Sequence, residues 1–285
     1  MDTKELKALI EDVLSEIAED AGIFFAPFGL GGQGRELVSL VGGGGKTTLL
    51  RALGRFLSRS GTTLLTTTTK VAPNDLPLLL LEGYEGPEED TERIRAALRL
   101  HSPLLAAQRH VRDGDREKLE GLSPEAIDRL WSGKAADFLI CEADGARHKP
   151  LKAWADWEPP IPSQTTLLCA VLGADRLGEP LTEDCVHRMA LMTERFGFRP
   201  GDVLTPDRLA ALLESPHGYL KNAPPAGRRI VLLNRSDLLP PARLDALARD
   251  FLPRTARLLG SWDLLILGSL HELRIEAVLM PRRGR

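Results

Sequence analysis

The stretch "LVSLVGGGGKTTLLRAL", residues 37–53, passes from an apolar run through four consecutive glycines to Lys-Thr-Thr and back to an apolar run. No other segment constrains the fold as tightly. Glycine loses more backbone freedom on folding than any other residue and buries no side chain. Such a run between a strand-like and a helix-like segment therefore needs a compensating contact. A strand, a glycine turn and a helix N-terminus together aim several backbone N–H groups at one point, and the helix dipole adds partial positive charge there. A phosphate satisfies that arrangement. Gly42, Gly43, Gly44 and Gly45 form the turn. Lys46 is placed to reach the β/γ-phosphates of a nucleoside triphosphate, Thr47 to bind Mg²⁺ through its hydroxyl, and Thr48 to donate to another phosphate. The usual G-x-x-x-x-G-K-[ST] spacing would put the first glycine at position 40, where this chain has Leu40. The turn is short by that measure.

Around this segment, apolar runs alternate with helical patterns. Glu36–Val41, Thr62–Thr68, Leu104–Val111, Phe138–Cys141, Thr165–Leu172, Arg229–Leu233 and a last run Leu264–Leu267 read as strands. Lys46–Ser58, Asp90–Leu100, Ser123–Trp131 and a segment from Thr205 through Leu213 read as helices. Ser123-Pro124-Glu125 spells a cap, a first-turn proline and a first-turn acid. Strands apolar on both faces, separated by helices, predict an α/β fold with a mainly parallel, doubly wound sheet of the P-loop nucleoside triphosphate hydrolase-like kind. Residues 1–34 read as an N-terminal amphipathic helix, over 2–20, and a Gly-rich joint. Residues 35–285 read as the α/β domain. The Pro-, Gly- and acid-rich stretches 71–90 and 145–164 read as exposed loops.

A net charge of −3 on 285 residues argues against a general nucleic-acid or membrane-surface binder. No apolar run reaches the length of a membrane span and the first twenty residues do not read as a signal peptide. Cys141, Cys169 and Cys185 form no CxxC pair and fit a reducing compartment. The expected location is the cytoplasm.

Three further segments carry candidate chemistry. In "DFLICEADGAR" an apolar strand ends in acids, as a mononucleotide site needs for its Mg²⁺. Either Glu142 is the strand-end acid and Gly145 gives an N–H to the γ-phosphate, or Asp144 takes the metal side and Glu142 orients water. With Lys46, these two acids are the catalytic candidates, and Thr47 with Asp144 is the candidate Mg²⁺ pair. In "TTTTKV", Thr69 and Lys70 sit where a strand opens on the crevice and meet a γ-phosphate, its metal or an anionic substrate. In "IVLLNRSDLL", Asn234 and Asp237 fit the acceptor and donor edges of a guanine, with a strand-to-helix cap as the alternative. Whether the base is that of GTP or ATP stays open.

Taken together, "VGGGGKTT", "TTTTK", "EADGARHKPLK", "VHR" and "NRSD" resemble the YqeC family of selenium-dependent molybdenum hydroxylase accessory proteins. The resemblance implies a P-loop, nucleoside-triphosphate-dependent step in maturing a selenium- or molybdenum-containing enzyme. Within that frame Arg147, Lys149 and Lys152, with His187 and Arg188, become candidates for holding a phosphorylated cofactor or selenium donor. A molybdenum hydroxylase becomes a candidate client. Cys185-x-His187 offers too few ligands for a structural zinc site. Three activities are open: an NTPase or phosphoryl or nucleotidyl transferase; a nucleotide-gated switch or chaperone serving a client enzyme; and a metabolite kinase. A homodimer is open too, since no sequence feature sets an interface.

Overall fold

The computed structural model describes residues 19–32, 34–84 and 88–281. Among them, nine strands form one sheet in the order β14-β13-β12-β10-β1-β8-β2-β5-β4. In chain order these are β1 (Glu36–Gly42), β2 (Thr63–Thr67), β4 (Leu78–Leu80), β5 (Leu104–Ala107), β8 (Phe138–Glu142), β10 (Leu167–Gly173), β12 (Arg228–Asn234), β13 (Leu264–Ser269) and β14 (Arg274–Leu279). Every neighbouring pair is parallel except β13 with β14. The fold is thus the expected α/β arrangement with a mostly parallel sheet.

Alternation along the strands explains the two covered faces. Leu167, Cys169 and Val171 of β10 join the apolar cluster that holds α1 (Lys46–Leu57), whereas Leu168, Ala170 and Leu172 join the cluster on the opposite face. Helix α1 buries Leu49, Leu50, Leu53 and Leu57 at helical spacing, and each such leucine contributes roughly 2 kcal/mol. The same cluster takes Phe24, Phe25 and Phe28, with Phe25 stacked 5.0 Å from Phe56. Residues 19–25 are helical; the rest of the helix expected over 2–20 lies outside the described residues.

Four local expectations are corrected. The stretch 71–90 is not all loop: Leu78–Leu80 adds the edge strand beside β5. The run Leu104–Val111 divides at Gln108 into β5 and β6 (Arg109–Asp113). The latter belongs to a separate antiparallel sheet, β3-β7-β6, with β3 (Lys70–Val71) and β7 (Arg116–Glu120). The stretch 145–164 is largely interior: Leu151, Ala153 and Trp154 are buried, and β9 (Leu151–Lys152) pairs with β11 (Val186–His187). Finally, Leu264–Leu267 is not the last strand, because β14 turns back along it. The caps form as spelled. Ser123 Oγ accepts the Ala126 N–H at 3.1 Å and opens α2 (Glu88–Leu100)'s successor, α3 (Pro124–Ser132), with Pro124 in its first turn.

Candidate functional site

Strand β1 lies between β8 and β10 and ends at Gly42, so its turn sits at the carboxyl edge of the sheet, where ligands of open α/β sheets bind. The glycines divide their work. The Gly42 N–H is shared by both Asp144 oxygens at 3.1 Å. Gly43 donates to Val171 O at 2.8 Å and Gly44 to Lys149 O at 3.3 Å. These three amides are turned into the protein, not toward an open cup. A Cβ on Gly43 would lie 2.2 Å from Lys149 O, so glycine is required there by close backbone approach. Gly45 has φ +129 and a Cβ there would lie 2.5 Å from the Asn234 amide nitrogen. Past it, the first helical bond of α1 is donated by Leu49 to Gly45 O. The N–H groups of Lys46, Thr47 and Thr48 precede it and have no intrahelical acceptor. The donors without an intrahelical partner are thus at the start of the helix, one step beyond where the glycine run alone would suggest.

Lys46, almost fully buried, folds back over the turn. Its Nζ donates to Gly42 O at 2.5 Å and lies 3.2 Å from Asp144 and 3.7 Å from Glu142. Burial opposes its charge, but the Asp144 and Glu142 carboxylates outweigh that, and its pKa is raised. The Thr47 hydroxyl donates to Glu142 Oε2 at 2.8 Å. Burial raises the Glu142 pKa despite Lys46 and Thr47.

Asp144 has a different environment. Besides Gly42 and Lys46, it accepts the Trp154 indole N–H at 2.7 Å and pairs with Lys152 at 3.1 Å. Its burial is overcome by Lys46 and Lys152, and its pKa is lowered. The structure therefore brings Glu142, not Asp144, to Thr47. The expected metal pair, Thr47 with Asp144, is not in contact here: the Asp144 oxygens are taken by two ammonium groups, an amide and an indole. Thr47 and Glu142 supply hard oxygen donors side by side, a set that fits Mg²⁺, which takes one or two protein oxygens and completes its shell with water and phosphate.

The basic segment is also redistributed. Lys152, with its side chain fully buried, bridges Asp144, Glu158 at 3.0 Å and Gly145 O at 2.6 Å. Burial, partly offset by Asp144, lowers its pKa to about 8. Lys149 donates to the carbonyls of Glu183 and Val186. Both ammonium groups are held by protein oxygens in this structure. Arg188 pairs with Glu158 and lies 5.9 Å from the exposed Trp157 ring. His187 has its pKa lowered to about 4 by burial and by the charges of Lys152, Arg147 and Lys149. Arg147 is exposed and without an ion pair among the described residues. Cys185 is buried, with its Sγ against the Thr182 backbone.

On the other side, Asn234 Nδ2 donates to Gly44 O at 2.8 Å and its Oδ1 accepts the Leu270 N–H at 2.9 Å. The amide braces the glycine turn while keeping one further donor and one acceptor site. Asp237 accepts from Ser269 Oγ at 2.6 Å. Arg235, at φ +73, occupies the cap position before the short 3₁₀ turn Ser236–Leu238, so Asp237 is not its cap.

The glycine turn, the Thr-Lys segment, the strand-end acids and the Val186–Arg188 segment all lie within residues 38–190, which match the family described as "YqeC protein". The chain belongs to the YqeC family. The Escherichia coli (strain K12) protein named "Uncharacterized protein YqeC" is 35% identical over 210 residues, covering 72% of this chain and 78% of its own length. No solved structure matches. Among the described residues, no helix is long and apolar enough to cross a membrane.

In this YqeC-family chain, sequence reasoning missed Trp154, Glu158, Tyr219 and Ser269. Trp154 and Tyr219 meet edge-on, 4.6 Å apart, beneath the glycine turn. A Cβ on Gly42 would lie 2.7 Å from the Tyr219 ring. The one available signal was the tryptophan of "KAWADW", whose size argues against a solvated loop.

Proposed function

We propose that the chain is a Mg²⁺-dependent, nucleoside-triphosphate-binding protein of the P-loop kind that hydrolyses its ligand or transfers a phosphoryl or nucleotidyl group. The carrying observation is the triad of Lys46, Thr47 and Glu142 at a helix N-terminus whose first N–H groups have no intrahelical partner. The amides of Lys46, Thr47 and Thr48 would hold phosphate oxygens, and the Lys46 ammonium would neutralise them. Thr47 and Glu142 would hold Mg²⁺, which supplies Lewis-acid charge stabilisation at phosphate oxygens. Phosphoryl transfer asks a protein chiefly for positioning and charge stabilisation, and this set provides both. Asn234 and Asp237 support a purine-base subsite. The motif resemblance is what supports assigning the step to maturation of a selenium-dependent molybdenum hydroxylase or its cofactor.

A second reading, a nucleotide-gated switch serving a client enzyme, draws on one observation. Ion pairs run from Lys46 through Asp144, Lys152 and Glu158 to Arg188 beside exposed Trp157. Drawing Lys46 toward phosphates would change the charge that Lys152 and the segment after it experience.

Calorimetric titration with ATP and GTP, with and without Mg²⁺, tests the first reading on wild type, Lys46→Ala and Thr47→Val. The expected result is saturable binding that Mg²⁺ strengthens, lost in Lys46→Ala and stripped of its Mg²⁺ dependence in Thr47→Val. Unchanged binding in both variants overturns it. Product analysis then separates the two readings: turnover by the protein alone supports transfer or hydrolysis, and phosphate release only with a client supports the switch.

A further inference from the structure

The short 3₁₀ turn Ala174–Arg176 follows β10, the strand between β1 and β12, and packs against the turn Ser236–Leu238 that follows β12. Its acid, Asp175, sits close behind the phosphate loop. A Cβ on Gly44 would lie 2.5 Å from Gly173 N, and a Cβ on Gly173 would lie 2.5 Å from Asp175 Oδ1. Gly173 is in register with Asn234, whose amide holds Gly44 O. Glycine turn, Gly173 and Asp175 thus form one stack at the carboxyl edge of the sheet.

The two Asp175 oxygens are used unequally. Oδ2 accepts from Arg176 Nε at 2.8 Å. Oδ1 is buried and accepts no hydrogen bond. The cation facing it is the Arg235 guanidinium, whose Nη1 lies 3.9 Å away. A buried carboxylate oxygen without a donor is costly, and the Arg235 charge is what offsets that cost. Arg235 is committed to the pair from its own side. It has φ +73, a left-handed conformation that a non-glycine residue adopts at a cost. Its backbone stands at the end of β12, between Asn234 and Asp237, and its guanidinium ends at Asp175, so the side chain crosses from β12 to β10. It forms no other ion pair among the described residues and stays partly exposed. A guanidinium neutralised along one edge keeps its planar faces for a ligand, and such faces stack on nucleobases.

We propose, resting on the phosphate-loop reading, that Asp175 is a positioning residue of the nucleoside subsite: it anchors Arg235 across the ends of β10 and β12, so that the guanidinium is the wall on which the base of a bound nucleotide packs. Asp175 acts through Arg235 and not on the nucleotide itself. The base then carries part of the affinity, and the site selects a nucleoside triphosphate over a bare polyphosphate.

The probes are ATP, GTP and inorganic tripolyphosphate, which offers three phosphates and no base. Each is titrated calorimetrically with Mg²⁺ into wild type, Arg235→Ala, Asp175→Asn and the double variant. Each single substitution should weaken the preferred nucleotide about tenfold and leave tripolyphosphate unchanged, and the double variant should be no weaker than the worse single one. Arg176→Ala, which removes the other partner of Asp175, should leave all three ligands unchanged. Nucleotide affinity that either single substitution leaves intact overturns the proposal. So does an equal loss of tripolyphosphate, which would make Asp175 a prop of the glycine turn, and so do additive losses in the double variant. A second measurement needs no variant at Asp175: the Arg235 side-chain N–H resonance of wild type, assigned by its loss in Arg235→Ala, should shift with the preferred nucleotide and not with tripolyphosphate, and a resonance that stays still overturns the proposal. Wild type that binds tripolyphosphate as tightly as nucleotide defeats this proposal alone. Wild type that binds neither defeats the phosphate-loop reading, and this proposal falls with it.

Discussion

Trp154 donates its indole N–H to Asp144 Oδ2 across 2.7 Å, and both side chains are buried beneath the glycine turn. A carboxylate in that position must satisfy every lone pair without water. It does so with Trp154, two lysines and the Gly42 amide. Trp154→Phe keeps an aromatic ring against Tyr219 but removes the N–H. The expected cost is about 1–3 kcal/mol of unfolding free energy, read by urea denaturation. Trp157→Phe, at an exposed ring, is the control and should cost nothing measurable.

The pH dependence of stability isolates Lys152. Burial lowers its pKa to about 8 in the folded chain, against an ordinary value of 10.5. Between these values the unfolded chain binds more protons than the folded one, so stability contributed by this group rises as pH rises from about 8 to 10.5. The difference in unfolding free energy between wild type and Lys152→Met should therefore move in favour of wild type across that window. His187 gives the acid counterpart. Its pKa is lowered to about 4 from 6.5, so its contribution is present above 6.5 and falls as pH drops toward 4. Histidine proton NMR resonances report that titration directly. A His187 that titrates near 6.5 would contradict the burial and the surrounding positive charge described for it.

Much of this architecture is written locally. The run "LLCAVLG" of β10 is apolar on both faces and could only be an interior parallel strand, and "VGGGGKTT" fixes a strand, a turn and a helix start in one stretch. What was not legible depends on contacts distant in sequence. Prolines and Asp75 around Leu78–Leu80 disguise an edge strand that exists only because Leu104–Ala107 is there to pair with it. The 145–164 stretch has the composition of a surface loop, yet Asp144 needs Lys152 and Trp154 as buried partners, and a buried counter-ion leaves no periodic mark. The choice between Glu142 and Asp144 had the same character. Two acids two positions apart share a side in the alternation of a strand, and both reach Lys46, so only the three-dimensional placement of Thr47 and Trp154 separates them.

The proposed base subsite yields a comparison within one protein. Asp237 is oriented by Ser269 and has one oxygen left for a ligand, whereas Asn234 is already bracing the glycine turn. Asp237→Asn should weaken GTP by about tenfold or more while changing ATP little, because a carboxylate accepts the paired donors of guanine and adenine offers no such pair. Parallel calorimetric titrations decide it. Equal loss for both nucleotides would make Asp237 a structural partner of Ser269 and nothing more. Asn234→Ala is expected to weaken both equally, since it frees Gly44 O and loosens the turn.

The two strand-end acids should separate cleanly under substitution. Glu142 touches Thr47 and has its pKa raised by burial, so Glu142→Gln removes a charge that the interior already disfavours. Stability should change little, while the strengthening of nucleotide binding by Mg²⁺ should fall about 10–100-fold, the range for losing a group that supports a metal. Binding measured in EDTA should stay at the wild-type value. Asp144→Asn removes the charge that pairs both Lys46 and Lys152. Leaving two buried ammonium groups short of a partner should cost about 3–5 kcal/mol, visible in denaturation before any ligand is added. The reverse pattern, with Mg²⁺ dependence lost in Asp144→Asn and stability lost in Glu142→Gln, would return the metal role to Asp144 and require the Trp154 and Lys152 contacts to open when nucleotide binds.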